Sequence, residues 1–198
     1  MKKTFYLFAI LFGCITLSNA QVTFKPGFRA GLNISHFSKG DDSYYNDGFT
    51  SNRDFDSRTD FYVGFFGDLK LTKYYSLQPE INYSRQGSKY DYYDEALMRN
   101  QSTDLEVSYL AVGIANKFTF NKLNVHVGPT FEFLVDQNFD TDADIDLAFF
   151  LGLGYDITPN FGVEARIKKG IVPVLDYSDG NHTNVVFSVG GFYKFDVK

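Results

Sequence analysis

Cysteine occurs once in the 198 residues, at Cys14, tryptophan is absent, and methionine appears only twice. One thiol allows no disulfide within the chain and no cysteine-based metal site. Long apolar runs are also missing: past residue 20 the longest spans Leu147 to Tyr155. A membrane helix needs about 20 residues, so any membrane crossing by the later chain must use strands. Basic charge is in short supply as well, with 19 Lys and Arg against 24 Asp and Glu, a net charge of -5. With no run of Lys or Arg to track phosphates, the composition argues against a nucleic-acid partner.

The amino terminus runs Met1-Lys2-Lys3, an apolar stretch from Thr4 to Leu17, then Ser18-Asn19-Ala20 before Gln21. Charged start, apolar middle and small residues at a cleavage point are the three parts of a secretory signal peptide. Residues 1–20 are therefore expected to be a signal peptide and 21–198 the folded domain. Cleavage would remove Cys14, and loss of Lys2 and Lys3 would leave 17 basic against 24 acidic residues, near -7. Leu11-Phe12-Gly13-Cys14 also resembles a lipoprotein box, against which stand bulky Phe12 and the apolar residues after the cysteine.

Aromatic residues are abundant, 22 Phe and 14 Tyr, and they suit pleated surfaces and membrane interfaces. They recur in strict alternation, the mark of strands whose successive side chains point to opposite faces. From Asp60 to Leu71, Phe61, Val63, Phe65, Leu69 and Leu71 fall on one face, with Asp60, Tyr62, Asp68 and Lys70 on the other. From Ser76 to Gln86, Leu77, Pro79, Ile81 and Tyr83 oppose Gln78, Glu80, Asn82, Ser84 and Gln86. Pro79 cannot donate to a ladder, which predicts a bulge. Comparable segments run 27–37, 123–134, 146–157, 161–171 and 184–195. An eighth, 105–120, changes parity near Tyr109 and Leu110.

Connections between these segments alternate in length: long over 38–58, short over 72–75, long over 90–103, minimal at Asn121-Lys122, medium over 135–144, short over 158–160 and medium over 173–183. Outer-membrane barrels have short periplasmic turns and longer outer loops. The segments are about 10 to 14 residues long, against about 5 to 6 for soluble strands and about 9 to 11 for tilted membrane strands. Their apolar faces are almost free of charge, with Arg85 and Lys169 as exceptions placed near strand ends. The expected fold is all-β, an eight-stranded antiparallel up-and-down transmembrane β-barrel, monomeric, in the cell outer membrane of a Gram-negative bacterium.

Gly31-Leu32-Asn33, Tyr62-Val63-Gly64 and above all Leu77-Gln78-Pro79-Glu80-Ile81-Asn82-Tyr83-Ser84 with Arg85-Gln86-Gly87 carry a family resemblance. Val127-Gly128-Pro129, Gly152-Leu153-Gly154-Tyr155 and Glu164-Ala165-Arg166 with Gly170 extend it. The chain resembles the PorT-like outer-membrane β-barrel family of Bacteroidetes, a porin-family domain, over nearly all of 21–198. Tyr109-Leu110-Ala111-Val112 departs from the family's fourth strand, which carries a proline. The resemblance implies an outer-membrane barrel and, for some members, an accessory part of a secretion or gliding apparatus.

With the apolar faces outward, Phe61, Val63, Phe65, Leu69, Val185, Phe187 and Val189 are the expected lipid contacts. The interior then receives Arg29, Asn33, Asp68, Lys70, Glu80, Asn82, His126, Glu132, Asp146, Glu164, Arg166 and Lys168. An eight-stranded barrel has room for its own side chains and little more, and a lone buried charge costs several kcal/mol. Arg29 and Arg166 are therefore expected to neutralise Glu80, Glu132 or Glu164 in one lumen cluster that plugs the barrel. His36, His126 and His182 are scattered, and His182 with Asp176 and Asp179 gives thin support for catalysis. Asp140, Asp142 and Asp144 have a calcium-like spacing, but Ile145 and Leu151 stand where an EF-hand needs glycine and glutamate. Tyr44, Tyr45, Phe49 and Phe55 among aspartates give the first long loop aromatics that can bind a protein partner or equally pack on each other or on the barrel rim. The expected function is a non-catalytic barrel with a structural or partner-binding role, without cofactor or metal, in contact with lipid and lipopolysaccharide. Its alternatives are a small diffusion channel and the accessory role that the resemblance implies.

Overall fold

A computed structural model describes residues 22–38, 55–94, 98–141, 143–177 and 180–197. Expectations for residues 1–20, for Tyr44, Tyr45 and Phe49, for Asp142 and for Asp179 lie outside them. Ten strands follow one another: β1 Thr23–Phe37, β2 Phe55–Lys70, β3 Tyr75–Asp94, β4 Arg99–Phe120, β5 Leu123–Gln137, β6 Ile145–Asp156, β7 Phe161–Gly170, β8 Leu175–Tyr177, β9 Gly180–His182 and β10 Asn184–Lys194. Eight of them close a ring in the order β1-β10-β7-β6-β5-β4-β3-β2, while β8 and β9 form a separate two-stranded ribbon within the last connection. Every pairing in the ring is antiparallel, and β1 meets β10 from Gly27 opposite Lys194 to Phe37 opposite Asn184. Closure leaves no unpaired edge, the condition for strands in hydrocarbon, where free backbone groups cost several kcal/mol each.

Alternation sorts the side chains as the sequence pattern requires. On β6, Ile145, Phe149, Leu151, Leu153 and Tyr155 face out while Asp146, Ala148 and Phe150 are buried inside. Aromatic rings gather outside the ring near its short-turn end: Phe28, Tyr193 and Phe195 pack within 6.1 Å of one another, Tyr74 stacks on Phe120, and Tyr75 meets Phe118 at 5.2 Å. Such a girdle marks a membrane interface. The tightest turn, Asn121-Lys122, has Asn121 at φ 61°, a left-handed position that asparagine tolerates.

The sheet is much taller on one side. β3 and β4 pair continuously over 20 residues, up to Asp94 opposite Arg99, whereas β7 has 10 residues. At about 3.3 Å per residue and about 40° tilt, β7 just spans an apolar band about 25 Å tall. The β3–β4 hairpin therefore rises well above it. This corrects the expected long connection over 90–103: alternation fades there, but backbone pairing persists among Tyr, Ser and Thr residues suited to strands. Arg85 accordingly lies inside β3 and not near its end; its guanidinium meets Asp60 at 3.5 Å and bonds to Glu106.

Pro79 causes no bulge. It pairs with Ile114 on β4, and the β2–β3 register is the same on both sides of it, from Phe66 opposite Glu80 to Leu69 opposite Leu77. The parity change near Tyr109 is one of chemistry and not of facing: Leu105, Val107 and Tyr109 keep the inward parity of β4 and are apolar where they pack with Phe37 and Val174. A bulge at the same height lies on β5. Ser108 pairs with Asp136 but Tyr109 with Leu134, so Val135 is the extra residue, and Val107, Ser108 and Tyr109 are all buried.

Candidate functional site

The lumen is built from inward positions of all eight ring strands, and its centre is a plate of paired charge. Glu80 on β3 is the hub. It accepts from Arg29 Nη1 on β1 at 2.9 Å, and from Arg166 Nη1 and Nη2 on β7 at 2.7 and 3.2 Å. Asn82 and Gln78, its alternate neighbours on β3, donate to it at 3.2 and 3.4 Å. Glu164 completes the plate: Arg29 lies 3.6 Å away, Arg166 donates at 3.4 Å and the Tyr62 hydroxyl at 3.2 Å. Two guanidinium groups thus face two carboxylates, leaving the plate neutral. The two-pronged Arg166–Glu80 contact has the geometry that makes guanidinium–carboxylate pairs directional.

Aromatic faces hold the cations flat. Arg29 lies 4.7 Å from the centre of the Phe66 ring and Arg166 lies 4.8 Å from that of Phe150, contacts that are worth more when desolvated. Tyr62 fits because Gly31 and Gly190 stand where a methyl group would collide with it. His126 packs beside the plate, its Nδ1 3.2 Å from Asn124 and its Nε2 3.9 Å from Glu164.

Above the plate, Lys168 donates to Glu132, and Asn33 links Ser84 at 2.9 Å to Ser188 at 2.7 Å. Between this level and the plate lies a cavity of about 50 Å³, bounded by Asn82, Thr130, Glu132, Arg166 and Lys168. Among the described residues Asn82 Oδ1 and Arg166 Nε find no hydrogen-bond partner, and a water there would find the polar contacts it needs. Nearer the outer end Asp146 accepts from the amides of Ile171 and Val172, at 3.3 and 3.0 Å. Toward the outer end an apolar cluster forms: Phe37, Val107, Tyr109 and Val174 pack together, flanked by Leu105, Leu134 and Phe139, with Asn184 donating to the Tyr109 hydroxyl at 3.4 Å beside it. Among the described residues no three His, Cys, Asp or Glu side chains gather as a metal would need. His182, buried between strand ends, sits with Nδ1 2.7 Å from the Ser38 carbonyl.

The model of an outer membrane protein beta-barrel domain matches residues 19–180. The chain belongs to this outer-membrane β-barrel family. Neisserial surface protein A is similar in fold at 15% identity, with a TM-score of 0.54 over 86% of this chain and 97% of that one. Two further solved barrels align more loosely. Ail of Yersinia pestis does so at 13% identity and a TM-score of 0.48, over 87% of this chain and 99% of its own. OprG of Pseudomonas aeruginosa does so at 12% and 0.48, over 90% and 99%. No curated protein matches the sequence. The family and the ring together establish an eight-stranded antiparallel barrel of the outer membrane.

Within that barrel, four of the five residues expected to cluster, Arg29, Glu80, Glu164 and Arg166, meet in one plate. Glu132 does not join them; its partner is Lys168, one step nearer the outer end. Lys70 is not interior but exposed at the short-turn rim. Of the expected lipid contacts, Phe61, Val63, Phe65, Phe187 and Val189 are exposed on the outside of the ring. Leu69 and Val185 share that face but are half-buried. Sequence reasoning missed the inward aromatics Phe66, Phe150 and Phe192, although each has the parity of the polar face.

Proposed function

We propose that this is a closed, non-catalytic barrel whose role is structural or partner-binding, with its contacts made by the outer connections and the tall β3–β4 hairpin. One observation carries the reading: the Arg29–Glu80–Arg166–Glu164 plate occupies the lumen at mid-height, joined from β1, β3 and β7. A neutral, cross-bonded plate resists the hydration that a pore needs, and its pairs brace strands distant in the chain. The outward apolar face meets lipid, and the outer rim meets lipopolysaccharide. The signal peptide over 1–20 belongs to the same reading, since such a barrel must be exported. The PorT-like resemblance extends it toward an accessory role in secretion or gliding, with the long outer loops as the protein-binding surface.

A small diffusion channel is the rival, and the polar cavity beside Lys168 and Glu132 is the observation on its side. Planar-bilayer recording of the refolded monomer separates the two. The closed barrel gives no steady conductance, whereas sustained nanosiemens openings would establish the channel.

A further inference from the structure

The short-turn end of the lumen, periplasmic by the pattern of the connections, differs from everything above it. Below the plate, Phe66 and Phe192 meet edge to face at 6.3 Å and partition the lumen. Beneath them lies a vestibule of about 260 Å³, onto which Lys25, Lys70, Lys73, Lys117 and Lys194 open. Among the described residues only Asp68 and Asp156 line it with opposite charge, and Asp196 draws Lys25 aside at 2.6 Å. In a chain of net charge -5, this mouth gathers five lysines against three aspartates.

Lys117 is the decisive residue. It is 4% exposed, yet its ammonium makes no hydrogen bond to any described residue. Its nearest carboxylate, Asp68, stands 3.6 Å away, and the Phe192 ring backs it at 5.1 Å. Lys194 is anchored on Asp156 at 2.8 Å. Lys70 and Lys73 form no ion pair among the described residues. The ammonium thus borders the vestibule on a largely buried stem with donors unspent on the protein, and an oxyanion in the vestibule would accept from them. Ser76, Thr119 and Asn121 line the same space with neutral donors.

We propose that this periplasmic vestibule binds a phosphate group, with Lys117 as its inner contact and Lys70 and Lys73 as its rim. The surplus of two positive charges matches a phosphate dianion better than a carboxylate, and four oxygens suit donors converging from several strands. Lysine serves such sites as a point charge. Free phosphate and the phosphate of an anionic lipid headgroup share this chemistry.

The test uses the refolded barrel in maltoside micelles, which carry no phosphate, at low salt. Inorganic phosphate is titrated calorimetrically in one arm, and phosphatidylglycerol is followed by phosphorus NMR in the other. Saturation with inorganic phosphate assigns a soluble source; saturation with the lipid alone assigns a headgroup. In either case Lys117→Met weakens binding at least tenfold. The exposed pair Lys70→Ser with Lys73→Ser, which spares the buried wall, weakens it several-fold, and Lys169→Ser leaves it unchanged. Failure of both arms to saturate, or saturation unmoved by the Lys117 variant and the rim pair alike, overturns the proposal.

Discussion

The two ends of the lumen are built from the same strands on the same inward parity, yet they close by opposite means. At the outer end Phe37, Val107, Tyr109 and Val174 exclude water by packing. At the periplasmic end Lys117, Lys194, Asp68 and Asp156 face a vestibule and stay hydrated. The charged plate lies between them, and what divides it from the vestibule is one aromatic pair, Phe66 with Phe192. The contrast shows that inward parity fixes only where a side chain points. Whether the space it enters is dry or wet follows from what the other strands deliver at that height.

The largest effect should come from the boundary between the two regimes. Glu80→Ala leaves Arg29 and Arg166 as buried cations sharing only Glu164, and breaking a buried pair by removing one partner costs about 3 to 5 kcal/mol. Urea unfolding in vesicles should show that drop, and a midpoint equal to wild type would mean that the plate is not what braces the ring. Next in size is Phe37→Ala, which empties the dry end. Deleting a buried phenyl ring costs about 3 kcal/mol or more, and the same unfolding experiment should show the loss. A change under about 1 kcal/mol would mean that the outer end is already wet, removing the contrast. Lys117→Met should be milder than either, a loss of about 1 to 3 kcal/mol in the same experiment. It keeps the apolar stem at the edge of a wet vestibule but leaves the Asp68 carboxylate, 3.6 Å away, without its cation.

The ring, its strand parity and its alternating connections were legible because hydrocarbon tolerates few exceptions on the outward face. The pattern is repeated eight times with almost no charge to break it. Inside, the rule weakens. Parity alone brought Arg29, Glu80, Glu164 and Arg166 to one side of the sheet, but Glu132 shares that parity and pairs with Lys168 instead. The choice depends on height along the barrel axis, and height depends on the stagger between strands, which side-chain pattern does not encode. Phe66, Phe150 and Phe192 escape the sequence pattern for a related reason: they have the inward parity without a polar side chain, and what marks them is the cation each flanks in space. The height of β3 and β4 was hidden because alternation ends at the edge of the apolar band while backbone pairing does not.

The smallest effect belongs to the periplasmic rim, where the contrast between the ends reaches solvent. Asp196 accepts from Lys25 Nζ at 2.6 Å and from Asn160 Nδ2 at 2.9 Å, and these bonds, Lys25's first, hold its carboxyl below the ordinary range. A depressed folded-state pKa stabilises the fold above the unfolded value, about 3.9 for aspartate, and that gain fades as pH falls through the folded value. The pair is exposed and screened by salt, so its contribution is minor. It acts where β1 meets the residues after β10, with the Phe195 amide bonded to the Pro26 carbonyl at 2.7 Å. Hydrogen exchange at the Phe195 amide should therefore be faster in Asp196→Asn than in wild type at neutral pH, after correction for intrinsic rates. As pH falls through that depressed value the two should converge, because protonation does to wild type what the substitution has already done. The outer end offers a control in the Tyr109 amide, at the opposite end of the lumen from Asp196, whose difference between the two proteins should stay near zero at every pH. A gap at Phe195 that persisted undiminished into acid would show that this rim is held by packing, as the outer end is.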